Sequence, residues 1–279
     1  MDTYGKWYGV AGHYALGMLS GVSEGLVSKI LKKYNLLTEE EEEKQKREEK
    51  SWAWLKKDMC WTIDTVEIKY RGRKVYLIIV DEEYSRKPLG YCLSLDKSGK
   101  TVKVFLEGLF TSLGKKPLII KYDRGKEFNN KEVTKYLKSE GVIILASPRY
   151  YPRFNGKHER SNLIIRVFLK NRLKGRYSVE VLDEVIRLAM DWAANILPRR
   201  MFGGRTSKEV YDAGESYTEE DRRNLLEKIE EKRLKVDGEK EASRRDFLDW
   251  ERKHVVESVV ELNLCEVKSK GENANQLSA

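Results

Sequence analysis

Histidine and cysteine are scarce in this 279-residue chain, three of each, and none of them is paired. His13, His158 and His254 stand far apart, as do Cys60, Cys92 and Cys265, and neither a Cys-x-x-Cys nor a His-x-x-x-His pair occurs. The sequence therefore offers no zinc-binding domain. An odd, scattered cysteine set gives no disulfide framework and fits a reduced intracellular compartment. No run of 18 apolar residues and no secretory leader is present, so no membrane span and no export are predicted.

What the chain has in quantity is charge. Charged residues make up 35 % and crowd the two ends, while the 40 % of apolar residues cluster between 60 and 210. That length allows one catalytic domain of about 150 residues with smaller domains at its ends. The net charge is +9, which favours a polyanionic partner. From Lys121 to Arg176 fifteen Lys/Arg face five Asp/Glu, a local excess of +10.

Tyr14–Leu19, a Ser20-Gly21-Val22-Ser23 turn and Glu24–Tyr34 read as two helices with a serine cap, a helix-turn-helix candidate over 1–38. Leu26, Val27, Ile30 and Leu31 are its expected core face. Lys29, Lys32 and Lys33 close its second helix, suited to phosphates. Residues 39–57 are expected to be a charged linker. The centre reads as three strands joined by short turns (60–68, 75–80, 88–95), then helix 101–113, strand 117–122, helix 131–140, strand 142–146 and helices 159–173 and 179–196. Three strands followed by alternating β and α elements give an α/β fold, a mixed sheet with helices on its faces. Residues 213–279 form a charged, mostly helical C-terminal extension whose role the sequence leaves open.

Three carboxylates stand out. Asp64 lies inside the first central strand, in Trp61-Thr62-Ile63-Asp64. Asp123 follows a strand, in Tyr122-Asp123-Arg124-Gly125-Lys126-Glu127-Phe128. Glu159 opens a helix, in Asn155-Gly156-Lys157-His158-Glu159-Arg160, with 35 residues between it and Asp123. An unpartnered Asp in an apolar strand is costly without a task, and ligand sites of open α/β sheets gather outside strand ends. Asp81 and Glu82, after Val75–Val80, read instead as a strand-end turn.

The motifs resemble the catalytic core of retroviral integrases and insertion-sequence transposases, the DDE recombinases. The resemblance covers roughly 58–212 and includes Ser147-Pro148, Pro152, Asn155-Gly156 and Glu159-Arg160 of the third motif. Asn195, Arg199-Arg200 and Gly203–Glu209 resemble the tail of the bacterial transposase core, with Ser207 where a proline is usual. It implies a ribonuclease-H-like mixed sheet, three antiparallel strands then parallel ones, flanked by helices. The implied activity is metal-dependent DNA cleavage and strand transfer, with Asp64, Asp123 and Glu159 holding two Mg²⁺ or Mn²⁺ ions. Asp64 would bridge both ions and the other two acids would complete one each. Element ends and target DNA would be the partners, met by a homo-multimer inside a prokaryotic cell. Without metal the gathered carboxylates should repel, raising their pKa values.

Lys157, Arg160 and Arg153 would lie near the scissile phosphate, and Arg166 and Lys170 would extend a basic stripe at helical spacing. Two other readings stay open: a ribonuclease-H-type nuclease without strand transfer, and a non-catalytic DNA-binding regulator derived from a transposase.

Overall fold

The computed structural model describes residues 13–34, 50–147, 156–173, 175, 177–236 and 244–269. The chain divides into two compact units, residues 52–162 with 214–267, and residues 1–51 with 163–213 and 268–279.

The first unit is built on a five-stranded sheet. Strands β2 (Cys60–Tyr70), β3 (Arg73–Glu82), β4 (Pro88–Ser94), β5 (Ile119–Tyr122) and β6 (Ile143–Ala146) lie in the order β4-β3-β2-β5-β6. β2 and β3 pair antiparallel from Trp61↔Glu82 to Tyr70↔Arg73. Only Arg71 and Gly72 join them, at φ 49° and 76°, the doubly left-handed turn whose twist suits a two-residue hairpin. β4 pairs antiparallel with β3, whereas β5 runs parallel to β2 and β6 parallel to β5. This is the ribonuclease-H-like mixed sheet that the resemblance implies.

Alternation along the strands gives the sheet two apolar faces. Trp61, Ile63, Ile78, Val80, Ile120 and Tyr122 share a core with helix α3 (Gly99–Leu113) through Val102, Leu106 and Phe110, and with helix α4 (Lys131–Ser139) through Val133 and Leu137. Ser98 and Asn130 cap these helices by accepting from Thr101 N and Val133 N. The other face carries Cys60, Ile119 and Leu145, covered by Leu225 and Ile229 of α8 (Glu219–Val236) and Val255 and Val259 of α9 (Arg244–Glu261). Parallel strands need both faces covered, so the C-terminal helices complete this domain's core.

Two strands escaped the sequence reading. β1 (Lys50–Trp54) falls in the span read as linker and pairs with β7 (Cys265–Ser269) in a separate two-stranded sheet. Lys50 and Ser51 open β1 straight after the acidic run, and with only three apolar residues in five, the strand has too short a pattern to stand out. Of the expected linker, 39–49 lies outside the described residues, whereas 55–57 are described and Lys57 bridges to Ser216.

In the second unit, α1 (His13–Ser20) and α2 (Glu24–Lys33) meet across Gly21 at φ 69°, and Ser23 Oγ accepts from Leu26 N at 3.3 Å. Ala15, Leu16, Val27 and Leu31 are buried, but Leu26 is 46 % exposed. The buried stripe of α2 runs through Val27 and Leu31, four residues apart, and Leu26 stands a step of about 100° round the helix from Val27. Arg200 pairs with Glu24 and sits 5.1 Å over the Tyr14 ring. Helix α5 (Gly156–Arg172) crosses the boundary between units after Asn162. Its Phe168 packs on Trp192 of α6 (Val179–Asn195), with ring centroids 5.6 Å apart. Helix α7 (Ser207–Ala213) follows.

Candidate active site

The register of two strands brings the first two acids together. β2 and β5 are parallel with Ile63 beside Tyr122, so the next residues stand side by side: Asp64, still within β2 and opposite Ile79 of β3, and Asp123, just past the end of β5. Ile63 and Tyr122 belong to the core on one face, and alternation assigns Asp64 and Asp123 to the other. Asp64 is half-buried. Its Oδ1 accepts from Thr65 N at 2.8 Å and its Oδ2 from Asn162 Nδ2 at 2.7 Å.

The loop after β5 folds back on Asp123. Gly125 N donates to Asp123 Oδ1 at 2.8 Å. A Cβ at position 125 would stand 2.8 Å from that oxygen and 2.8 Å from Glu127 Oε2, so only glycine fits between the two carboxylates. Buried Glu127 pairs with Lys97 Nζ at 3.1 Å, and this contact, more than any other, raises the Lys97 pKa. Burial holds the Asp123 carboxyl above the usual carboxylate range. The Asp64 and Glu127 charges add to the rise, against the Gly125 N–H and Lys97, which lower it.

Beneath the acid pair lies a buried ion pair. Glu83 accepts from Thr62 Oγ1 at 2.5 Å and pairs with Lys121 Nζ. Thr62 and Lys121 each lie two residues before an acid, hence on the same face. Ser147, which opens the third motif, donates to Tyr122 O through its N at 2.9 Å and its Oγ at 3.0 Å. It thus ties the end of β6 to the strand that delivers Asp123. Glu82 accepts from Tyr84 N, Ser85 N and Ser85 Oγ, closing the strand-end turn read from the sequence.

Glu159 lies in the first turn of α5, and its side chain is outside the described residues. Position 159 precedes Asn162 by three residues, on the same helical face, and Asn162 touches Asp64. Among the described residues no three His, Cys, Asp or Glu side chains form a metal-holding group. Lys157 and Arg160 share that first turn with side chains equally undescribed, and Arg153 falls outside altogether. Arg166 and Lys170 are exposed one turn apart on α5. Lys29 and Lys33 are exposed on α2, and of Lys32 only the helical backbone is described.

Sequence reasoning missed Asn162, Lys97 and the Lys121–Glu83 pair. Asn162 had a signal, its place one turn after Glu159. Lys97 had none: it sits in a polar turn before α3 and reaches Glu127 only through the fold.

Residues 56–152 match the family model described as the integrase core domain. The match holds Asp64 and Asp123 and ends before Glu159. No curated protein matches the chain. Among solved structures, the HTLV-2 integrase catalytic core domain in complex with magnesium, trimeric form, is 22 % identical. That alignment covers 57 % of this chain and 99 % of that one with a TM-score of 0.45. The simian T-cell lymphotropic virus intasome in complex with a PP2A regulatory subunit, B56 gamma, is 17 % identical over 76 % of this chain and 75 % of that one, with a TM-score of 0.49. The BIV integrase catalytic core domain is 16 % identical over 55 % and 93 %, with a TM-score of 0.44.

Proposed function

We propose that this chain cuts DNA and joins the cut end to a second DNA, as a polynucleotidyl transferase of the integrase and transposase type. The observation that carries the reading is the Asp64–Asp123 pair, side by side on parallel strands, with Asn162 of the Glu159 helix bonded to Asp64.

The donor set fits divalent ions. It consists of hard carboxylate oxygens, one of them held above its usual pKa, beside a buried Asn162 Oδ1 that has no hydrogen-bond partner among the described residues. Mg²⁺ or Mn²⁺ suits such oxygens. In this reading Asp64, Asp123 and Glu159 would hold the ions, which would supply a lowered pKa at the attacking hydroxyl and charge stabilisation at the leaving alkoxide. The protein's own part is positional. Asn162 Nδ2 and Thr65 N fix the two Asp64 oxygens, Gly125 N fixes one of Asp123, and Lys97 with Glu127 balances charge at the rim. Lys157, Arg160 and Arg153 are assigned to DNA near the scissile phosphate, and Arg166, Lys170, Lys29, Lys32 and Lys33 to flanking phosphates. Residues 1–38 serve as the DNA-binding segment, 58–212 as the catalytic core and 213–279 as its extension. Joining two ends calls for two or more subunits.

The deciding experiment is strand transfer on a labelled duplex ending in the repeat that flanks the gene, with Mg²⁺, Mn²⁺ or EDTA. Wild type should give joined product only with metal, and Asp64→Asn, Asp123→Asn and Glu159→Gln should bind DNA yet give none. Metal-dependent nicking without joining would indicate a nuclease. Binding unchanged by all three substitutions, with no chemistry under any metal, would indicate a regulator.

A further inference from the structure

Arg124, the residue after Asp123, joins three parts of the first unit. Its Nε donates to Ser147 O at 2.8 Å, at the end of β6, and its Nη2 pairs with Asp249 on α9. Asp249 also accepts from Arg252 Nη1 at 2.5 Å, one helical turn on. The preceding residue, Leu248, packs against the core beneath α3 and α4. Helix α9 is thus fixed to the sheet at two successive positions, one apolar and one charged. The two strand ends that Arg124 spans are those that matter: Asp123 departs from one, and from the other the chain leads to the helix of Glu159.

We propose that α9 is a positioning element of the reaction site, in which Asp249 holds Arg124 and Arg124 holds the ends of β5 and β6 at the separation the acids require. This rests on the reading of Asp64 and Asp123 as holders of divalent ions. The guanidinium is suited to it because its planar fork sends donors in two fixed directions, to a carbonyl and to a carboxylate. A lysine offers no such fork. The side chains of Arg124 and Asp249 are 18 % and 36 % exposed, so the pair is partly screened by water, and Asp249→Asn keeps an oxygen that can accept from Arg124, which limits the cost to global stability. Positioning and scaffolding are therefore separable by experiment.

Full-length wild type, Asp249→Asn, Asp249→Glu and Asp123→Asn would be compared in four measurements. These are Mn²⁺ binding by paramagnetic resonance of the free ion, Mg²⁺-dependent nicking of duplex DNA, amide exchange across 123–128, and thermal melting. Asp249→Asn should weaken Mn²⁺ binding and slow nicking about tenfold, the scale seen when groups orienting metal ligands are removed. Exchange at Gly125 should quicken while melting stays within about 2 °C of wild type. Asp249→Glu should restore most of the loss. Wild-type Mn²⁺ affinity and exchange in Asp249→Asn would overturn the proposal. So would a loss accompanied by a collapsed melting temperature that Asp249→Glu fails to rescue. Failure of the functional reading looks different: wild type would bind no Mn²⁺ that Asp123→Asn abolishes, and exchange at Gly125 alone would then decide whether Asp249 holds the loop.

Discussion

At the scale of single residues, the second acid motif is explained by space. Gly125 stands where a methyl group would strike both Asp123 and Glu127, so Gly125→Ala must push one carboxylate aside. A misplacement of about 1 Å costs about a hundredfold in rate, and that loss, measured as Mg²⁺-dependent cleavage with unchanged DNA affinity, is the expected result. Glu82 makes a separate prediction. Burial, opposed by the Ser85 and Tyr84 bonds, lifts its pKa from 4.5 to about 7. The folded chain therefore holds that proton more tightly than the unfolded one, and stability falls as pH rises between those values, by at most about 1.4 kcal/mol per pH unit. Melting followed from pH 4 to 8 should show the fall, and Glu82→Gln should flatten it. The motif acids were legible in the sequence because each sits in its own short signature. Lys97 and Asp249 were not, since a charged residue in a charged stretch looks the same whether it faces water or an opposite charge, and Asn162 had only its place one turn after Glu159.

At the scale of elements, the long apolar strand β3 and the capped helices α3 and α4 could be read directly, because one pattern fills each of them. The C-terminal helices were read as helices, but what they cover was hidden. Leu225, Ile229, Val255 and Val259 stand out in these charged helices as packing positions, and all four are buried, but the sheet face they cover is visible only in the fold. The strands also carry a pair whose cost is plain only in three dimensions. Lys121 and Glu83 have side chains 7 % and 3 % exposed, and removing one partner of a buried pair strands the other at about 3–5 kcal/mol. Urea unfolding of Glu83→Gln should show a loss of that order. The double variant Glu83→Leu with Lys121→Met should lose less than the two single losses combined.

At the scale of the whole molecule, if the excess of positive charge near the second and third acid motifs serves DNA as proposed, binding should weaken steeply with salt. If Arg166 and Lys170 each neutralise a phosphate, replacing both with Gln should lower the slope of log affinity against log salt by about two. An unchanged slope would remove both from the interface.

The second core has a consequence for how the protein is made. Leu118 and Ile119 arrive early in synthesis, yet the residues that shield them, Leu225, Ile229, Val255 and Val259, are translated much later. Chains emerge from the ribosome in that order, so the sheet bearing Asp64 and Asp123 stays bare on one side until α9 is out. A stop codon or frameshift late in the gene is then no milder than an early one: it yields a chain with an unfinished interior, a substrate for proteases, and never a shortened but intact fold.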